Sequence, residues 1–419
     1  MVNWTSDPQG AYKMVRGQTL DICAPLAVED YGVQPMADAS PPKWHIAHVT
    51  WFFETFLLKA FVPGYTPFNE AFEVLFNSYY NGVGSQFPRP ERGRLSRPTV
   101  DEVVAYREHV DEHMLGLLGR ELSGETLFRT ILGLNHEQQH QELLFTDLKY
   151  NLGNNPLYPP YAPRESTVAN AAPGMEFVEF PGGIFEIGTA ADEPGSFAFD
   201  NESPRHQVLV PDFALASRLV TNGEYLAFME DAGYRRPELW LSDAWSRLNG
   251  PDGSDKPLYW VRREGDWYEY TLGGLEKLNL AAPVGHVSGY EADAYARWAG
   301  ARLPTEPEWE VMAQDRPVEG NLAESGRYHP APARAGRGMQ QVFGDVWEWT
   351  STSYGPYPGF KPFAGALGEY NGKFMANQLV LRGGSCVTPQ SHLRPSYRNF
   401  FYPGDRWQFS GIRLARDCP

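Results

Sequence analysis

Apolar residues recur at helical spacing along the first third of the chain. From about Pro8 to Pro25, the placement of Ala11, Val15, Leu20 and Ile22 predicts a first helix. Pro41 and Pro42 open a stronger segment, Lys43 to Phe61, and proline is well placed in the first turn of a helix. On it Trp44, His48, Phe52 and Thr55 fall on one stripe, with Ile46, Val49, Phe53 and Leu57 beside it. His48 therefore points the same way as its apolar neighbours, into a bundle. Thr99-Val100-Asp101-Glu102 has the form of a capping box and starts a helix running to about Arg120. A further helix is predicted from about Gly124 to Leu152, with Gly153 as its stop. Leu132, Leu143, Leu144 and Leu148 supply its apolar packing, while Asn135, His136, Gln139 and His140 form a polar stripe. Four helices with short to moderate links make a bundle.

Past residue 153 the pattern changes. Pro156, Pro159, Pro160, Pro163 and Pro173 stand among small residues, a composition that makes a semi-rigid spacer. The expected organisation is a helical domain over 1–153, a linker over 154–173 and a second domain over 174–419. In the second domain short apolar stretches (Phe177–Phe180, Phe185–Ile187, Gln207–Val210) alternate with Gly- and Pro-rich turns, predicting strands. Two helices are legible: Asn222–Ala232, and Ser288–Ala299 with Tyr290, Ala294 and Trp298 inward. The domain reads as irregular α+β.

Composition narrows the function classes. With 419 residues, 42% hydrophobic and 21% charged, the chain is globular and long enough for two cores. Its 12 Trp, 22 Tyr and 24 Phe can also wall flat or cationic ligands. A formal charge of −16 argues against nucleic acid, which needs a basic stripe to neutralise phosphates. Cys23, Cys386 and Cys418 are widely spaced and odd in number, which fits a reducing compartment better than a disulfide framework. No signal peptide or membrane-length apolar run is visible, so the expected location is the cytoplasm.

Candidate chemistry centres on Asn135-His136-Glu137-Gln138-Gln139-His140. Positions i and i+4 share a helix face, so His136 and His140 can reach one metal ion. A third ligand is available in Trp44-His45-Ile46-Ala47-His48. His45 lies about 60° from His48 around the helix, so geometry alone leaves both open. Two other readings compete: a satisfied structural pair, and the His-Glu-x-x-His helix of zinc proteases with Glu137 as general base. Between the helices, Asn77 to Arg92 carries Tyr79-Tyr80 and Arg89-x-x-Arg92 in a loop too rich in Gly, Pro and aromatics for a simple connector. It reads as an acidic-group clamp beside phenolic hydroxyls, or as a surface loop with solvated arginines.

Several longer motifs carry a resemblance. Val220-Thr221-Asn222-Gly223-Glu224-Tyr225, His286-Val287-Ser288-Gly289-Tyr290, Ala301-Arg302-Leu303-Pro304-Thr305-Glu306, Gly344-Asp345-Val346-Trp347-Glu348-Trp349 and Leu381-Arg382-Gly383-Gly384-Ser385 resemble the formylglycine-generating-enzyme fold, a C-type-lectin-like α+β variant. Only Cys386 stands where the copper-dependent oxidases of that fold carry a cysteine pair, so the scaffold is shared and the chemistry is not. The N-terminal part resembles the DinB-like four-helix bundle. Both domains in this order, with Trp44-x-x-x-His48 and His136-x-x-x-His140, resemble the sulfoxide synthases of ergothioneine biosynthesis (EgtB-type) over nearly the whole chain.

That resemblance implies a non-haem iron(II) enzyme that uses O2 to join a thiol to C2 of the imidazole of hercynine (N-alpha-trimethylhistidine), leaving the sulfur as a sulfoxide. It assigns His48, His136 and His140 as iron ligands, Gln139 as a partner of the substrate imidazole, and Arg89 and Arg92 as partners of the thiol substrate's carboxylate. Asn399-Phe400-Phe401 stands where the gamma-glutamylcysteine-using subgroup has Asn-Trp-Asp. Asn399 keeps its match, Phe400 can face a trimethylammonium group, and Phe401 replaces the carboxylate. A second subgroup, with a Tyr-Tyr pair as proton or electron donors and free cysteine as substrate, resembles this chain more closely through Tyr79-Tyr80. Gamma-glutamylcysteine or a selenosugar as second substrate, a zinc-dependent DinB-like thiol transferase and a non-catalytic binding protein are the alternatives. An ovothiol-type enzyme would carry an added methyltransferase domain.

Overall fold

The computed structural model describes residues 4–163, 171–190, 197–251 and 253–418. The middle of the expected linker, 164–170, lies outside the described residues, as do the first three residues of the N-terminal reading. The chain divides into two compact units. One comprises Met1–Leu157 with Glu193–Phe199 and Pro362–Gly372; the other comprises Tyr158–Asp192, Asp200–Lys361 and Lys373–Pro419. Two short segments from beyond the expected linker thus group with the helices.

The first unit is a bundle of α1 (Pro8–Cys23), α2 (Pro42–Phe53), α3 (Val100–Leu118) and α4 (Gly124–Gly153). Each helix start has a local cause. The Asp7 carboxylate accepts from Gly10 N–H ahead of Pro8, Thr99 and Glu102 close the capping box on α3, and Ser123 caps α4 through Thr126 N–H. Helix α2 continues through a π-helical stretch, Glu54–Leu58, into Lys59–Phe61, so the helix expected to Phe61 is continuous but widened in its middle. Helix α4 ends at Gly153, the expected stop, and the chain leaves through Asn154 in a right-handed conformation.

Packing differs from a simple stripe model. Every residue of α2 except Lys43 is buried, because it packs against both α3 and α4. On α1, Leu20 is exposed while Arg16 and Thr19 point inward. The reason is Glu137 on α4, whose carboxylate accepts from Arg16 Nη1 at 2.9 Å, Arg107 Nη2 at 2.6 Å and the Thr19 hydroxyl at 2.6 Å. A buried carboxylate needs such partners, and they displaced the leucine from the interior.

The second unit is α+β. A three-stranded antiparallel sheet runs β1 (Phe177–Phe180), β4 (Phe213–Ala216), β14 (Ala415–Asp417), and β2 (Gly183–Ile187) pairs with β3 (His206–Val210). A meander joins β5 (Trp260–Arg263), β6 (Asp266–Thr271) and β7 (Gly274–Lys277), and β8 (Gly320–Asn321) pairs with β9 (Phe343–Gly344). The fourth sheet has the order β12 (Asn399–Phe401), β11 (Leu379–Arg382), β10 (Trp347–Ser353), β13 (Ser410–Gly411), which leaves β12 at an edge. Four α-helices are described: α5 (Asn222–Glu230), α6 (Ser242–Leu248), α7 (Gly289–Trp298) and α8 (Glu306–Ala313). On α7, Ala294 and Tyr295 are buried, whereas Trp298 stays partly exposed, its indole N–H donating to Asp231; Tyr290 is partly exposed too. The core gathers Trp309, Met312, Phe213, Leu215 and Phe343. Buried ion pairs, Arg413 with Glu348 and Arg398 with Glu306, brace the loops around it. No helix of the described residues is long and apolar enough to cross a membrane.

Candidate metal centre

Helices α2 and α4 bring three imidazoles to one point. His48, His136 and His140 are buried, and each offers a nitrogen within 4.8 Å of the others. The four-residue spacing on α4 sets His136 and His140 one turn apart on one face, their rings edge-on with centroids 4.7 Å apart. His48 enters from α2, 5.0 Å from the His136 ring and 4.8 Å from that of His140. Its Nδ1 lies 2.6 Å from the Phe76 carbonyl oxygen, which makes Nδ1–H the donor and leaves Nε2 bare. That Nε2 is buried with no hydrogen-bond partner, as are both ring nitrogens of His136. Orphaned buried nitrogens converging on one point fit a metal ion.

Electrostatics agree with that fit. Burial pushes all three histidines down in pKa, His136 to about 3. His136 adds to the shift at His48 and His140, since two imidazolium ions cannot share the site. The imidazoles are therefore neutral, the form that ligates a metal.

The two other acidic or basic candidates of this region are engaged elsewhere. Both oxygens of Glu137 are held by Arg16, Arg107 and Thr19. Burial alone would raise its pKa, but Arg107 and Arg16 outweigh it and hold the carboxyl below its usual range. This excludes the zinc-protease role, in which the same residue must face the metal-bound substrate as a free base. His45 is not part of the triad either: its ring hydrogen-bonds His140 and Asp147.

Around the triad stand aromatic rings and one unusual cation. Trp44 stacks on His48, with centroids 4.6 Å apart, and the Arg92 guanidinium lies 3.3 Å from the centre of the Trp44 ring. Arg92 is buried and donates to the hydroxyls of Ser40 (2.9 Å) and Ser78 (3.1 Å), while its Nε has no partner. Burial and the nearby Arg89 lower its pKa, outweighing the opposing pull of Asp147, with which it forms no ion pair. Arg89 itself is exposed and donates to the Asp38 carbonyl. Tyr80 is fully buried, and its ring centroid lies 4.7 Å from that of Tyr79.

One residue of this site was not foreseen. Tyr370, on the segment Pro362–Gly372, donates its hydroxyl to Gln139 and sits 5.5 Å from the His136 ring and 6.2 Å from Tyr79. Phe199 stacks on it at 5.2 Å, and the neighbouring Glu369 accepts from the backbone N–H groups of Asn81 and Gly82. Nothing in spacing links Gln139 to a tyrosine 231 residues later. Tyr354 and Tyr357 belong to the second unit, where Tyr354 stacks on Phe400 at 4.0 Å and Tyr357 lies against Arg398. Asn399, Phe400 and Phe401 form β12 of that unit, with the Phe401 ring edge-on to Trp407.

The chain matches the family model of the sulfatase-modifying factor enzyme 1-like domain over residues 163–334 and 319–418, and that of the DinB superfamily over 11–144. It is 34% identical to the hercynine oxygenase of Mycolicibacterium smegmatis, over 90% of this chain and 91% of that one. The hercynine oxygenase of Mycobacterium tuberculosis is 33% identical over 90% and 91%. The formylglycine-generating enzyme of Streptomyces coelicolor is 31% identical over 58% of this chain and 89% of its own.

Proposed function

The chain belongs to the hercynine oxygenase family of oxidoreductases, and from that premise we propose a non-haem iron(II)- and O2-dependent sulfoxide synthase that joins free cysteine to C2 of the imidazole of hercynine. The reaction consumes one thiol S–H, one imidazole C–H and one O2. A C–S bond forms, one oxygen atom ends on sulfur, and the other leaves as water with the two hydrogens. The product is hercynylcysteine sulfoxide.

The observation that carries this reading is the triad of neutral, buried imidazoles with unpartnered nitrogens. Three neutral ligands on one side leave positions open for thiolate and O2, which a four-ligand structural zinc site lacks. Iron bound there supplies the one-electron chemistry that activates O2 and the charge that holds a thiolate. The remaining work falls to the protein. Arg92, a buried cation with neutral partners, offers its guanidinium to the cysteine carboxylate. Gln139, whose amide oxygen accepts from Tyr370, orients the hercynine imidazole through its side-chain amide. Tyr79 and Tyr80 donate a proton or an electron from fixed rings, as in the Tyr-Tyr subgroup. Phe401, in place of a carboxylate, favours cysteine over gamma-glutamylcysteine.

The test is O2 consumption by anaerobically iron-loaded protein with hercynine, offered cysteine, gamma-glutamylcysteine or a selenosugar in turn, with mass detection of products. Hercynylcysteine sulfoxide from free cysteine is the expected product. Absence of O2 uptake with every pair, despite bound iron, would overturn the oxidase reading.

A further inference from the structure

Two of the three triad histidines have their second nitrogen tied, and they are tied differently. His48 meets a backbone carbonyl. His140 Nδ1 instead lies 2.8 Å from Nδ1 of His45, a buried residue of α2, and His45 Nε2 lies 3.0 Å from Asp147 Oδ2. The same Asp147 oxygen accepts from Ser40 N–H at 2.7 Å, which fixes its position. We propose that His45 is a positioning residue for the metal: an imidazole backed by Asp147 that sets the tautomer and orientation of His140 so that its Nε2 faces the ion. This rests on the metal reading of the triad, though not on the substrate.

The polarity of the chain follows from counting hydrogens. A carboxylate only accepts, so the proton of His45 sits on Nε2 and is donated to Asp147. With that proton placed, Nδ1 of His45 is the acceptor that faces His140. The proton between the two rings therefore belongs to His140 Nδ1, and His140 Nε2 is left with a free lone pair. The reverse polarity would set a bare His45 Nε2 against a carboxylate oxygen at 3.0 Å, two acceptors facing each other. It would also put a hydrogen on His140 Nε2 and remove it as a ligand. Of the two tautomers of His140, the Asp147–His45 pair selects the one that binds metal.

His136 sharpens the contrast, since neither of its nitrogens has a protein partner. Its ring is placed by packing alone, 4.7 Å from Phe52 and 5.5 Å from Tyr370, whereas His140 is also held by a hydrogen bond. Asp147 lies seven residues after His140 on α4, two turns along the same face, and His45 lies three before His48 on α2. The spacing of all four residues places the relay and the ligands on the same two helices.

The test measures metal affinity, not turnover. Anaerobic Fe(II) competition titrations and the visible spectrum of the Co(II)-substituted protein are recorded for the full chain and for His45→Phe, His45→Gln and Asp147→Asn. His45→Phe keeps a ring but no nitrogen, and is expected to weaken Fe(II) binding ~10–100-fold and to shift the Co(II) bands. His45→Gln, whose amide oxygen can still accept from His140, is expected to recover most of that loss. Asp147→Asn is expected to fall between the two. Unchanged affinity and spectrum in both His45→Phe and Asp147→Asn would overturn the proposal. If His45→Phe does not fold, unchanged binding in Asp147→Asn alone would do so. Tight metal binding that depends on His45 in a protein inactive toward hercynine and every thiol would sink the proposed function and leave the role of His45 standing.

Discussion

Tyr370 donates its hydroxyl to the side-chain oxygen of Gln139, the residue immediately before the last histidine of the triad. Any ligand that takes up Gln139 therefore meets an amide already oriented by a phenol. This separates two roles that tyrosines near the triad can play. Tyr370→Phe removes one hydrogen bond, worth ~0.5–1.5 kcal/mol, and is expected to raise the KM for hercynine ~2–10-fold while kcat keeps its order of magnitude. The double variant Tyr79→Phe/Tyr80→Phe removes the proposed donors and is expected to lower kcat ~10²–10⁴-fold. Steady-state O2 uptake distinguishes them. The opposite pattern would move the donor role to Tyr370.

Arg92 is a buried cation hydrogen-bonded to two hydroxyls and laid over the Trp44 ring, so its removal breaks no ion pair. Arg92→Met is therefore expected to leave the unfolding midpoint unchanged or higher. It is expected to raise the KM for cysteine ~10–100-fold, the loss of a charge-assisted contact of ~1.5–3 kcal/mol, with the KM for hercynine unaffected. Equal effects on both substrates would remove Arg92 from the cysteine side of the site.

Glu137 presents the converse case. Glu137→Gln leaves Arg107 buried without its counter-charge and Arg16 with Asp111 alone, so stability is expected to fall by ~3–5 kcal/mol in denaturant titrations. Iron content and turnover per folded molecule are expected to persist, because the carboxylate faces the two arginines. Loss of turnover at full stability would restore the zinc-protease type of reading, with Glu137 as base.

The bundle was legible in the sequence because its signals are local. The Thr99 capping box, the proline start of α2 and the i, i+4 pair on α4 each act within a turn or two. Leu20 misled because the partner that turns Arg16 and Thr19 inward, Glu137, lies over a hundred residues away. Helix α8 was overlooked although Thr305 and Glu308 form a capping box, since only a short apolar run follows. Tyr370 had no local signal at all: it directly follows a short 3₁₀ segment, Gly365–Glu369, and is placed by packing on Phe199 and Gln139. His45 was visible as a candidate, but only the distances to His140 and Asp147 distinguish a ligand from a residue that orients one.

Asp345 gives a prediction about pH. It lies buried in the second unit at a φ of 57°, accepting from the Asn321 amide at 2.7 Å and Ala331 N–H at 2.8 Å. Burial pushes its carboxyl up to about 6 in spite of those bonds. The folded chain therefore holds this proton more tightly than the unfolded chain, whose aspartates titrate at about 3.9. The stabilising contribution is complete below about pH 4 and is lost as pH rises through about 6. Above that, the fold carries a buried charge at a cost on the order of 3 kcal/mol. Asp345→Asn keeps an amide oxygen for the two donors and tolerates a positive φ, yet cannot ionise. Denaturant titrations are expected to show the variant more stable than the parent at about pH 8 and level with it at about pH 4. A difference that does not change with pH would mean that the fold responds to the shape of the Asp345 side chain and not to its charge.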